Sequence, residues 1–260
     1  MIRVRRLIAG LAVCWLAGCA TTSEEPVPRG GLDRVSPVRA AEINARLGVA
    51  YFERGQLELA MELLQTALSH DEQHVPAHVT LAMIHEQIGD ERRARQHYRQ
   101  AARLAPNDGG TLNSYAVFLC RNGEFDQAED YFMRAVSDPF YGTPAVAWAN
   151  AGACARRAGD PARASQYLRQ AIELEPGFPD ALYNLAEVYY QQGDAFRARA
   201  FLQRYEAVVE PEPGALLLGF QIESDLGNAG DARRYASRLE GGFPDSEQLR
   251  ELRRQQGNND

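Results

Sequence analysis

The sequence predicts an all-α fold: a solenoid of six stacked helix pairs closed by a C-terminal capping helix. Three observations predict it. Glycines stand at Gly55, Gly89, Gly123, Gly159, Gly193 and Gly227, a spacing of 34 residues broken by a single step of 36. Five residues after each comes an alanine: Ala60, Ala94, Ala128, Ala164, Ala198 and Ala232. At the end of the last unit, residues 245–256 are a polar stretch, which suits the solvent-facing end that a stack of repeats requires.

A fixed period in this range marks a repeat architecture, and 34 residues is the length of the tetratricopeptide unit. The units fall at about 41–74, 75–108, 109–142, 145–178, 179–212 and 213–246, inside a tetratricopeptide domain of residues 37–257 that winds into a right-handed superhelix. Ser36 and Pro37 open the first helix as N-cap and first helical residue. Each glycine ends the first helix of a pair, where the chain needs a left-handed cap. Asp90, Asp160 and Asp194 follow three of these glycines and are expected to cap the second helices. The alanine after each glycine lets two antiparallel helices approach closely, as does a second alanine seven residues on: Ala67, Ala101, Ala135 and Ala171. Leu64, Tyr98, Phe132, Leu168 and Leu202 fill the space between helices, and Pro106, Pro176 and Pro244 close three of the second helices. Residues 143–144 are an insertion between the third and fourth units. The sixth is degenerate, with Gly219-Phe220 where Leu-Gly is usual.

The N-terminus predicts export and anchoring. Residues 1–18 read as a lipoprotein signal peptide, with Arg3, Arg5 and Arg6 before an apolar run from Leu7 to Ala17. That run is too short to span a bilayer. Leu16-Ala17-Gly18-Cys19 is a lipobox, so Cys19 is the expected lipidation site, and two or three acyl chains there would anchor the protein stably. Ala20, in place of the aspartate that retains many lipoproteins in the inner membrane, predicts the outer membrane and its periplasmic face. Residues 19–36 form a lipidated cysteine and a tether rich in Thr, Ser, Glu, Pro and Gly, with a reach of roughly 20 Å.

Composition narrows the partners. With 45% hydrophobic and 24% charged residues the chain is that of a folded protein rather than a disordered one. A formal charge of −7 disfavours nucleic acid, and every basic residue is Arg, so charged contacts will be of the planar, bidentate kind. The sequence contains no Gly-rich phosphate loop, zincin motif or nucleophile elbow. No catalytic residue, metal, cofactor or small-molecule substrate is expected. His70, His74, His78 and His85 cluster in sequence without a closed ligand set, which reads as core filling or surface polarity rather than zinc binding.

The candidate sites are therefore structural and protein-binding. Cys120 and Cys154 lie 34 residues apart, near equivalent points on adjacent first helices. In an oxidising compartment they are expected to form a disulfide, the alternative being two buried thiols. First helices line the concave groove of such a stack, and the expected groove residues are Asn113, Val117 and Arg121, then Ala149, Arg156 and Arg157, then Tyr183, Glu187 and Tyr190. Amides of this kind hold a partner's backbone and arginines pair with its carboxylates. Phe140 and Tyr141, at the break in the repeat spacing, either plug a widened gap or form a docking loop.

One resemblance is more specific. The stretch from Leu112 through Tyr115, Phe118 and Cys120 to Gly123, followed by Tyr131-Phe132, Asp138-Pro139 and Asn150 to Cys154, resembles the type IV pilus biogenesis lipoproteins of the PilW/PilF family. Ser114 and Ala116 depart from the Asn and Gly expected there. The lipobox, six repeats and cysteine pair agree with that family. The resemblance implies a pilotin: a scaffold, not an enzyme, that binds the pilus secretin, and other pilus-assembly proteins with it, and promotes secretin multimerisation. The alternative expectation is a general periplasmic adaptor that recruits envelope-assembly or peptidoglycan-remodelling proteins.

Overall fold

The computed structural model describes residues 36–257. Cys19, the signal segment and residues 20–35 of the tether lie outside the described residues. Among the described residues every regular element is a helix: α1 (Pro37–Glu53), α2 (Leu57–His70), α3 (Val75–Gln87), α4 (Glu91–Leu104), α5 (Gly109–Arg121), α6 (Phe125–Val136), α7 (Pro144–Arg157), α8 (Pro161–Leu174), α9 (Pro179–Gln191), α10 (Ala195–Glu206), α11 (Pro213–Asp225), α12 (Ala229–Gly242) and α13 (Glu247–Gly257).

The turn inside each pair is the same chemical device repeated. All six register glycines adopt φ between 72° and 79°, a conformation that costs a residue with a Cβ about 1 kcal/mol or more. The amide after each glycine donates back to the carbonyl four residues before it, at 2.8–3.0 Å, which satisfies an acceptor the helix end would leave orphaned. Asp90, Asp160 and Asp194 then accept from the amides of Arg93, Arg163 and Arg197 and cap α4, α8 and α10. Gln56, Glu124 and Asn228 occupy the same position without a side-chain cap. Asn228 is diverted, its amide donating to Glu223 Oε2 at 2.7 Å. Replacing Asp160 by Ala is expected to lower the unfolding free energy by about 1 kcal/mol in urea titration.

Packing explains the alanines. The six alanines five residues after the glycines are at most 5% exposed. Gly152 shows how little room is left, since a Cβ there would lie 2.5 Å from Leu168 Cγ and 3.2 Å from the Ala164 carbonyl oxygen. The sixth unit has Ala236 where five others have a large residue; Tyr235 compensates, its ring lying over Gly219 within 2.7 Å of where a Cβ would be.

Each helix packs on the next, and α1, α3, α5, α7, α9 and α11 also touch one another in series, whereas α2, α4, α6, α8, α10 and α12 do not. The odd-numbered helices are thus the crowded inner layer of a curved stack and the even-numbered ones the splayed outer layer. At the C-terminal end α13 buries Leu249 and Leu252 against α11 and α12, so the terminal polar stretch is an amphipathic cap.

Candidate functional site: the concave face

The inner layer presents one side chain in every few residues to the concave surface, and these side chains are largely engaged with one another. Arg121 of α5 reaches across to Glu86 of α3, with Nη1 2.9 Å from Oε1. Arg157 of α7 donates from Nη2 to the Arg121 carbonyl at 3.4 Å. Asn150 of α7 donates to Asn113 Oδ1 at 3.1 Å. Arg156 lies with Nη2 3.0 Å from Glu187 Oε2 of α9, and Tyr183 donates to the other oxygen, Oε1, at 3.2 Å. Asp225 of α11 stands close enough to Tyr190 of α9 to act on its hydroxyl. The result is a polar ladder running from α3 to α11.

Burial tunes this ladder. Desolvation first, then the Glu187 charge, holds the Tyr183 hydroxyl above its ordinary range, so it stays a hydrogen-bond donor at any physiological pH. Burial and Asp225 push Tyr190 up to about 12. Arg156 Nε and Glu187 Oε2, two atoms of this ion pair, are both buried without a hydrogen-bond partner, so the pair is held by charge more than by directed bonds.

Beside the ladder runs an apolar lane. Met83 is 40% exposed and Val117 is half-buried on the inner layer. With Glu86, Asn113 and Arg121 they line a shallow depression of about 560 Å³. A second depression, about 510 Å³, lies at the other end of the inner layer, where Tyr183 and Tyr205 pack at 5.6 Å beside Asp180, Glu210 and Glu212.

One expected position needs correction. Ala149 is only 4% exposed and belongs to the core, so it offers nothing to the groove. A methyl group is too short to emerge from a crowded helix layer, and α7 sets Asn150 opposite Asn113 instead. Arg121 and Arg156, expected to pair with a partner's carboxylates, are each matched to a carboxylate of this chain. Asn150 and Glu86 were missed because a period reveals equivalent positions, whereas these partners are set by lateral contact between helices.

Around the insertion, the two rings divide. Tyr141 is half-buried and seated on Gly109, where a Cβ would stand 2.5 Å from its Cγ, while Phe140 is 93% exposed. Asp138 fixes the loop by accepting from the Gly109 amide through Oδ2 and from the Phe140 amide through Oδ1, both at 2.9 Å. One ring plugs the gap and the other points to solvent. Behind the concave face, Cys120 of α5 and Cys154 of α7 are joined in a disulfide with Cα atoms 5.8 Å apart.

A further cluster combines His78 and His85 with His97, a residue the sequence reading did not single out. His78 Nδ1 lies 2.9 Å from His97 Nδ1, and the His85 ring stacks on His97 at 5.6 Å. Among the described residues no group of three or more His, Cys, Asp or Glu side chains is arranged to hold a metal ion.

Comparison with known proteins places this geometry. The tetratricopeptide-repeat family model matches residues 51–108 and 155–212. The type IV pilus assembly protein PilF of Pseudomonas aeruginosa is 24% identical over 249 residues, covering 96% of this chain and 98% of that protein. A solved structure of P. aeruginosa PilF superimposes with a TM-score of 0.75 over 84% of this chain and 99% of the other, at 23% identity. The crystal structure of PilW, a widely conserved type IV pilus biogenesis factor, is 30% identical with a TM-score of 0.77, covering 82% of this chain and 97% of that one.

Proposed function

Because this chain belongs to the PilW/PilF family of tetratricopeptide-repeat pilus biogenesis proteins, we propose that it is a non-enzymatic assembly factor of the type IV pilus. It is anchored in the outer membrane through a lipid on Cys19, faces the periplasm, and binds the pilus secretin to promote its multimerisation. The observation that carries the reading is similarity along almost the full length of a pilus assembly protein, joined to a continuous concave layer of the kind that captures polypeptides.

The concave face suggests how capture works. Arg121 and Arg156 are already paired with carboxylates of this chain, whereas the exposed Arg157 is held only through the Arg121 carbonyl and keeps its charge for a partner's carboxylate. The lane of Met83 and Val117 supplies apolar contact, and the amides of Asn113 and Asn150 supply hydrogen bonds to a backbone. A strain lacking the protein is expected to lose heat-stable secretin multimers and twitching motility. Normal multimers in that strain would overturn the proposal. A photoreactive residue in place of Tyr183 is expected to crosslink the secretin in the native envelope; recovery of a peptidoglycan hydrolase instead would favour a general adaptor.

A further inference from the structure

The outer side of the stack carries a cleft that the repeat pattern itself explains. Eight residues before the register glycines the chain has Leu47, Leu81, Tyr115, Ala151, Leu185 and Gly219; four residues before them it has Tyr51, His85, Leu119, Ala155, Tyr189 and Glu223. The fourth unit is the one with alanine at both positions. In the third and fifth units the equivalent side chains Tyr115, Leu119, Leu185 and Tyr189 are at most 2% exposed and fill the space between successive pairs. In the fourth that space is open. Ala151, Ala155 and Ala158 of the fourth unit form one wall of a cleft, and Phe125 and Phe132 of α6 form the other.

Size and charge define what fits. The volume open to the centre of a water-sized sphere is about 50 Å³, several times the roughly 10–15 Å³ that one water needs. That admits one side chain and no backbone. Apolar surface dominates the walls, so the side chain is apolar. Three carboxylates stand at the rim: Asp126, Glu129 and Asp160. Arg163 is the one base among the lining residues, and it is paired with both Glu129 and Asp160. The rim is therefore net acidic, and an apolar anchor flanked by basic residues complements it.

The geometry points to a second docking surface, distinct from the concave face: a socket between the third and fourth units that takes a single Leu, Met or Phe side chain from a partner segment with Arg or Lys on either side. The socket does not depend on the identity of the partner held by the concave face, and its test is separate. Intact protein, purified from cells in detergent with carbon-13 alanine methyls, is titrated with the pentapeptide Arg-Ser-Leu-Ser-Arg. The methyls of Ala151, Ala155 and Ala158 are expected to shift together. Burial of one leucine predicts binding at least about tenfold weaker for the peptide with Ser at the centre, and a Glu-flanked peptide is expected to bind more weakly than the Arg-flanked one. Ala155→Leu, which restores the bulk found in other units, is expected to keep the helical fold and abolish the shifts. If that variant fails to fold, the Ser-centred and Glu-flanked peptides on the unsubstituted protein still decide. Unmoved methyls at millimolar peptide, or equal binding of the Leu and Ser peptides, would overturn the socket. Shifts driven by protein concentration alone would assign the cleft to a second copy and overturn it too.

Discussion

Replacing Cys120 and Cys154 by serine is expected to remove about 3–4 kcal/mol of unfolding free energy, because the bridge closes a 34-residue loop in the unfolded chain. The loss will not be spread evenly. In a repeat stack, stability is close to a sum of unit and nearest-neighbour terms. The bridge joins α5 to α7, across the interface where the glycine spacing widens to 36 and where Ala151 and Ala155 leave the cleft unfilled. The covalent bond therefore stands where packing is thinnest. Without it, units one to three and four to six are expected to uncouple, so that urea unfolding followed by circular dichroism splits into two transitions. A single transition with an unchanged midpoint in the double serine variant would contradict both the magnitude and its location.

How much of this was legible in the sequence depends on whether a feature repeats. The glycine register foretold six left-handed turns, and the alanine register foretold the six closest helix approaches, because both follow from backbone sterics that recur in every unit. The 34-residue spacing set Cys120 beside Cys154, and only the expected oxidising compartment favoured a bridge over two buried thiols. Lateral pairing was not legible. Arg121 finds Glu86 and Arg156 finds Glu187 across neighbouring helices, where the contact depends on side-chain reach as well as on register. Ala149 was misplaced for the same reason: the repeat count set it in the groove, yet a methyl cannot reach past its neighbours. The cleft lies between these cases. Its walls are visible once the residues eight and four before each glycine are compared, but its rim charges need coordinates. The exposure of Phe140 against the burial of Tyr141 likewise turns on which ring seats on Gly109, a contact 32 residues away in sequence.

Acidification is expected to weaken the second unit before the rest of the stack. His78 and His85 of α3 and His97 of α4 pack together, and burial lowers the pKa of all three; for His97 burial, then the charges of His78 and His85, bring it to about 4. Burial keeps the rings neutral, and the bond between His78 and His97 is lost once both are protonated, since each ring nitrogen is then a donor. His78 Nε2 faces the Glu72 carbonyl and must donate, which leaves its Nδ1 to accept from His97 Nδ1–H. Asp90 partly offsets the shift at His85 and Arg93 adds to it, so the surroundings do not rescue the charged form. In the unfolded chain each histidine titrates near 6.5. The unfolded state therefore binds more protons between that value and about pH 4. Stability is fully present above the window and falls as pH drops through it, by up to about 1.4 kcal/mol per pH unit for each ring that the fold keeps neutral. Asp90 and Asp194, whose carboxyls are held below their ordinary values by backbone hydrogen bonds, lose their contribution at lower pH and leave the histidine window clear. Hydrogen exchange at pH 7.5 and pH 5 is expected to show α3 and α4 losing protection first, and His97→Gln is expected to flatten that dependence. Equal acid sensitivity in the variant and the parent would place the titrating groups elsewhere.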